Sequence, residues 1–190
     1  MASLMIHQIV GEEYCKRNKV DSEYLFLNGN LMPDLTEDKK STHFSVRCRN
    51  RTYTESIMNK VNLQAFCEQV DIDSSFYKGV FLHLITDQVF FYKYLLNNPK
   101  YREIEFEDQL YIQSIIYRDY HRNNLYLMKK YPDTILSMLP DFAKVTREDV
   151  DCMEILSHKD IDEIIELCAA VDLERAYDTI RTMSQDILEM

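Results

Sequence analysis

Phe76-Tyr-Lys-Gly79-Val-Phe-Leu-His83-Leu-Ile-Thr-Asp87-Gln-Val-Phe-Phe-Tyr-Lys-Tyr-Leu-Leu96 is apolar on nearly every side when wound into a helix. Asp73 or Ser74 can cap its start and Pro99 stops it, so the pattern predicts a central helix to about Asn97, buried on several sides. His83, Asp87 and Lys93 interrupt the run and exclude a membrane span. His83 and Asp87 form an H-x-x-x-D pair, and a spacing of four places both side chains on one helix face. An aspartate inside an apolar helix is costly unless it is paired or bound to a metal. Two arrangements meet that demand: a His83–Asp87 hydrogen bond within the core, or a shared cation, for which histidine and carboxylate are good ligands. Gly79, one turn before His83, fits either a close helix contact or metal access.

The flanking segments are helical too. Ser3–Lys16 carries Leu4, Ile6, Ile9, Val10 and Tyr14 on a broad face, and His7 lies where it can point inward with them. Asp21-Ser22 can cap a helix through Tyr24–Leu27, with Gly29 and Pro33 expected to end regular structure. From Asn28 to Tyr53 the chain reads as a long polar loop holding Asp34, Lys39, Lys40 and His43, and long loops in compact domains are more often functional than not. Thr54 can cap a helix to about Val70, Glu105–Lys130 forms another, and Asp133–Leu139 a short piece between prolines. Thr146 can cap a helix to about Leu156. The last helical region, Lys159–Ile187, breaks near Val171-Asp172.

Composition agrees. Only 3 Gly and 4 Pro occur in 190 residues, few for a sandwich or barrel built on tight turns. The prediction is a single all-α domain over residues 1–190, of six to eight helices, with a metal-site core in about 1–130 and a helical extension in about 131–190. A net charge of -10 argues against non-specific nucleic-acid binding, which needs a basic face. The five cysteines, at 15, 48, 67, 152 and 168, show no C-x-x-C spacing. With no basic start and no long apolar stretch at the beginning, they read as reduced, in a cytoplasmic protein. Oligomeric state is not readable from the sequence.

Asp34, His43, His83 and Asp87, if they converge, form a nitrogen- and oxygen-rich metal site, with His7 as a further group. Each also has a plainer reading: Asp34 as a turn residue after Pro33, His43 as a loop residue, His7 as a core histidine. Phe26-Leu27-Asn28-Gly29-Asn30-Leu31-Met32-Pro33-Asp34, then Lys40-Ser41-Thr42-His43-Phe44, then Gly79–Asp87, resemble in order and spacing the zinc-dependent phospholipase C family, to which the S1/P1-type nucleases are related. The matching patterns are G-N-x-x-P-D, K-x-x-H-F and G-x-x-x-H-L-x-x-D, preceded by a histidine on the first helix, where His7 fits. The family is all-helical and hydrolyses phosphodiesters at a di- or trinuclear zinc site.

The resemblance implies Asp34, His43, His83 and Asp87 as core ligands, Asp87 able to bridge two ions, and His7 serving a neighbouring ion. Asp119-Tyr120-His121-Arg122-Asn123 is similar to an aspartate-tyrosine segment of small bacterial members, making Asp119 and His121 additional ligands or supports of ligands. The chain has no Trp, the N-terminal ligand of secreted members. Only His121 and His158 remain where the family shows a His pair with a Glu, so one or two ions are implied rather than three. Zinc fits these donors, and manganese or iron also takes histidine and carboxylate. The expected activity is a metal-dependent phosphoesterase acting on a small phosphoester, with Asp34 as ligand or general base and Lys39 and Lys40 beside a phosphate. The alternative is a non-catalytic helical binding or regulatory protein with a structural metal or none. An HD-type phosphohydrolase fits less well, because no His-Asp dipeptide occurs.

Overall fold

The computed structural model describes residues 2–45, 61–95, 98, 109–134 and 155–188. Within them the chain is all helical, and no strand occurs. The elements are α1 (Leu4–Arg17), α2 (Glu23–Leu35), a short α3 (Lys39–Thr42), α4 (Leu63–Gln69), α5 (Ser75–Val89) running on as a π-helical segment (Phe90–Leu95), α6 (Gln109–Lys130), α7 (His158–Ala169) and α8 (Leu173–Leu188). They pack as one helical bundle.

Side-chain caps start most of the helices. Ser3, Ser22, Asn62, Ser74 and Ser157 each accept from a backbone N–H of the first turn, satisfying donors that a helix start otherwise leaves without partners. α1 is buried from Met5 to Gly11, and α5 from Gly79 to Asp87. Neither helix has a wet face along those stretches, because neighbours surround both. α2 and α7 flank α1, while α5 lies against α2, α7 and α8.

The α2–α5 contact is the closest in the bundle. A Cβ on Gly29 would fall 1.9 Å from the Phe76 carbonyl oxygen, and one on Gly79 would fall 2.0 Å from the Phe26 carbonyl oxygen. Only glycine permits the two backbones to meet this way.

This contact corrects the sequence reading of α2. Gly29 and Pro33 do not end it; the helix runs through both to Leu35. Gly29 serves helix–helix approach rather than a turn, and packing against α5 outweighs the local preference of both residues. The Pro33 carbonyl, near the helix end, accepts instead from the Thr42 hydroxyl at 3.0 Å. The segment read as loop is therefore helical at 28–35, and Lys39–Thr42 forms a further turn.

α4 starts at Leu63. The expected cap at Thr54, the helix expected from Thr146 as far as residue 154, the starts of α6 at 105–108 and the short piece at 135–139 lie outside the described residues, as do Cys48 and Cys152. Ile155 and Leu156 are not helical. The break expected near Val171-Asp172 separates α7 from α8.

The C-terminal helices close over α1 and α5. Arg17 on α1 makes two 2.9 Å contacts to the Glu166 carboxylate on α7, and Lys93 meets Glu163 at 2.7 Å. No helix among the described residues is long and apolar enough to cross a membrane.

Candidate metal centre

Three helices and the short α3 bring five side chains to one point. α1 supplies His7, α2 Asp34, the end of α3 His43, and α5 both His83 and Asp87. His7, His43, His83 and Asp87 are essentially inaccessible; Asp34 is the least covered, with a tenth of its side chain exposed. Two sets, His7/His83/Asp87 and Asp34/His43/His83, each offer three donor atoms lying within 4.8 Å of one another.

The orientation of each imidazole follows from its second nitrogen. His83 Nδ1 lies 2.8 Å from the Asn30 carbonyl oxygen, and His43 Nδ1 lies 2.7 Å from the Lys39 carbonyl oxygen. A carbonyl oxygen can only accept, so each of these Nδ1 atoms carries a hydrogen and each ring turns its Nε2 into the cluster. Those two Nε2 atoms face each other at 3.1 Å. At that distance the pair needs a proton or a cation between the two nitrogens. Burial foremost, then the charges of His7 and His43, holds the His83 imidazole well below its ordinary pKa against the opposing pull of Asp87. A neutral His83 is the ligand form.

The distances fit a bound ion. Two imidazole nitrogens ~2.05 Å from a tetrahedral zinc would be ~3.3 Å apart, close to the observed separation. Histidines whose Nδ1–H is tied to a backbone carbonyl are the usual form of metal-ligating imidazole.

The carboxylates divide their oxygens between two sides. Asp87 Oδ1 lies 3.2 Å from His7 Nε2 and accepts the Ala2 backbone N–H at 2.6 Å. Its Oδ2 lies 3.4 Å from His43 Nε2 and 3.7 Å from His83 Nε2. Asp34 Oδ2 lies 3.9 Å from His7 Nε2, and its Oδ1 lies 3.6 Å from His43 Nε2. His7 stacks on His83 with ring centroids 3.7 Å apart, so the two rings lie one above the other.

Burial alone would raise the Asp87 carboxyl. The imidazoles of His43 and His7, directed at it, help to hold it well below the usual carboxylate range. His7 Nε2, Asp34 Oδ1 and Asp87 Oδ2 are buried without a hydrogen-bond partner. Each such atom costs about 1–3 kcal/mol, so the three together cost about 3–9 kcal/mol, a large part of a typical domain stability of about 5–15 kcal/mol. Bound cations would satisfy these atoms, one on the His7 side and one on the His43 side, and both donor sets are compatible with metal coordination.

Comparison with known protein families, curated proteins and solved structures finds no match to this chain. The resemblance to zinc-dependent phospholipase C therefore stands on the three sequence motifs alone.

The remaining sequence-derived candidates are placed as follows. Lys39 Nζ lies 3.7 Å from Asp34 Oδ1 at the open edge of the cluster. Lys40 is exposed. Asp119 is fully buried, and its Oδ2 accepts the backbone N–H of Ile155 at 2.9 Å and of Leu156 at 3.1 Å. His121 is exposed. His158, at the start of α7, is half-buried and stacks on Tyr126 with centroids 4.0 Å apart.

Two participants escaped sequence reasoning. Asn30 supplies the carbonyl that orients His83, and its side chain bonds the His7 carbonyl. Tyr120 is held protonated far above its ordinary range by burial, then by the charges of Asp87, Tyr117, Asp34 and Asp119. Asn30 stood in the G-N-x-x-P-D pattern with no role assigned, and its place four residues before Asp34 carries meaning only if 30–34 is helical.

Proposed function

We propose that this protein is a metal-dependent phosphoesterase with a two-cation centre similar to that of zinc-dependent phospholipase C. The observation that carries the reading is the division of Asp87 and Asp34. Each carboxylate turns one oxygen toward His7 and the other toward His43. His43 and His83, with one oxygen of each carboxylate, would hold one ion; His7 and the remaining oxygens would hold the other. Zinc suits these donors best, and manganese or iron would also be accepted.

When bound, such cations lower the pKa of a coordinated water toward ~7 and neutralise charge on a phosphoryl oxygen. The protein's own groups do the rest. Asp34 is the most exposed of the five, so substrate and attacking water approach from its side. Asp34 is a ligand there, or the base that takes the proton of that water where one of its oxygens is free of metal. Lys39, beside Asp34, provides a cationic point for a phosphate oxygen. Lys40 lies next to it on the exposed side of α3. With their Nδ1 hydrogens committed to carbonyls, His83 and His43 turn their Nε2 atoms toward the ion. Asp119 would serve by tethering the segment before α7 to α6 through the Ile155 and Leu156 N–H groups, and exposed His121 takes no part in the cluster. Cys15, Cys67 and Cys168 are free thiols, which suits a reducing cytoplasm.

A second reading draws on the depth of the cluster. Four of its five side chains are sealed from solvent, as in closed structural sites, and a cation there would serve stability alone in a binding or regulatory protein. Two measurements separate these readings. Elemental analysis of protein purified without chelator should give one or two equivalents of a zinc-like metal, lost in His83→Ala. A bis-aryl phosphate should be hydrolysed by the metal-loaded protein and spared after chelation. Metal without hydrolysis of any phosphoester in a screen would favour the structural role, and no metal uptake would end both.

A further inference from the structure

Asn30 is fully buried on α2, one helical turn before Asp34. It touches all three helices that carry ligands. It belongs to the same helix as Asp34, its carbonyl accepts from His83 Nδ1 on α5, and its side-chain Nδ2 donates to the His7 carbonyl oxygen on α1.

The last contact is unusual. The His7 carbonyl lies inside α1, where the N–H one turn on already serves it, so the Asn30 amide adds a second donor to a satisfied acceptor. α1 is built to admit that amide. Gly11, one turn after His7, is the only glycine in the helix, and glycine is the least favourable residue after proline in a helix interior. A Cβ at Gly11 would lie 2.7 Å from Asn30 Nδ2 and 2.9 Å from Leu27 Cδ2. The missing side chain is the space the amide occupies. Meanwhile Asn30 Oδ1 is buried with no partner, so the side chain is held for its donor and not for the bundle's polar balance.

We propose that the Asn30 side-chain amide is a positioning device for His7, setting the half of the centre that binds the second cation. The proposal rests on the two-cation reading above. It separates two functions within one residue. The backbone carbonyl serves His83 and survives any substitution, whereas the amide serves His7 and does not. Replacement of the side chain should therefore spare the cation held by His43 and His83 and weaken the one at His7. The expected loss is about 10–100-fold, the usual range for groups that orient metal ligands.

Asn30→Leu tests this, since it keeps the volume and removes both the donor and the orphaned oxygen. Metal-stripped wild type, Asn30→Leu and His7→Ala are titrated with zinc by calorimetry, and each is melted without metal. The expected result is two equivalents for wild type. In Asn30→Leu the first should be within about threefold of wild type and the second weakened about 10–100-fold, the same equivalent that His7→Ala loses. A purely structural role would lower the metal-free melting temperature and leave both affinities alone, which overturns the proposal. Equal weakening of both equivalents also overturns it. Gly11→Ala provides the independent arm should Asn30→Leu not fold. Its methyl group displaces the amide from the other side, and the same selective loss is expected; unchanged binding refutes the device. If wild type takes up fewer than two equivalents, the two-cation reading fails and this inference with it.

Discussion

Adding zinc to metal-stripped protein should raise its melting temperature substantially, and the structure sets the scale. His7 Nε2, Asp34 Oδ1 and Asp87 Oδ2 are buried without a hydrogen-bond partner, and the Nε2 atoms of His43 and His83 face each other at 3.1 Å. Relief of three such atoms is worth about 3–9 kcal/mol. Mass action gives an independent figure: an ion present at about 100 times its dissociation constant stabilises the folded state by about 2.7 kcal/mol. For a domain of this size, each kcal/mol moves the midpoint by about 2–4 °C, so one ion should add about 5–10 °C and two about twice that. The assay is a thermal melt followed by circular dichroism, with chelator and then with zinc, on wild type and His83→Ala. The variant should lose most of the shift. A wild-type midpoint that zinc leaves unmoved, or an equal shift in His83→Ala, would refute the claim that these side chains converge to hold a cation.

Other outcomes follow from the same geometry. Asp34→Asn should keep the fold, because the side chain is at the edge of the cluster, and should reduce bis-aryl phosphate hydrolysis by at least about 100-fold; wild-type turnover in that variant would remove Asp34 from the chemistry. Acidification should destabilise the metal-free protein. The His83 folded pKa lies below its ordinary value, so its contribution is complete above about pH 6.5 and is lost as pH falls toward the folded value. Asp87, also depressed, contributes above about pH 4 and loses its share below that. Urea midpoints should therefore fall between pH 7.5 and 5, and a flat or rising profile would contradict a neutral buried His83. Gly79→Ala places a methyl against the Phe26 carbonyl and should cost about 2–3 kcal/mol or more by forcing α2 from α5, measured by denaturant unfolding; a loss under about 0.5 kcal/mol would mean the helices do not meet there. Asp119→Ala strands two buried N–H groups, of Ile155 and Leu156, and should cost about 2–5 kcal/mol. Loss of bound metal in the same variant would assign Asp119 to the centre, and full metal content would leave it as a tether for the segment before α7.

The sequence by itself determined the helical class, because apolar residues recur at helical spacing, aspartate, serine and threonine can cap the helix starts and glycine and proline are scarce. It also determined that His83 and Asp87 share a face, since that pairing is local to one helix, and that His7 points inward among Leu4, Ile6 and Val10. Tertiary structure decided what local preference argued against. Gly29 and Pro33 read as an end to α2, and they become helix interior only because Gly29 and Gly79 let two backbones touch, a contact made by residues fifty positions apart. That continuation is what sets Asn30 and Asp34 one turn apart, brings the Asn30 carbonyl to His83, and makes a stretch read as loop the face that carries Asp34 to the His/Asp cluster. The pairing of His43 with His83 and the splitting of each carboxylate between two sides likewise depend on distances between helices. A one-dimensional pattern carries the period of each helix and not the separation between them.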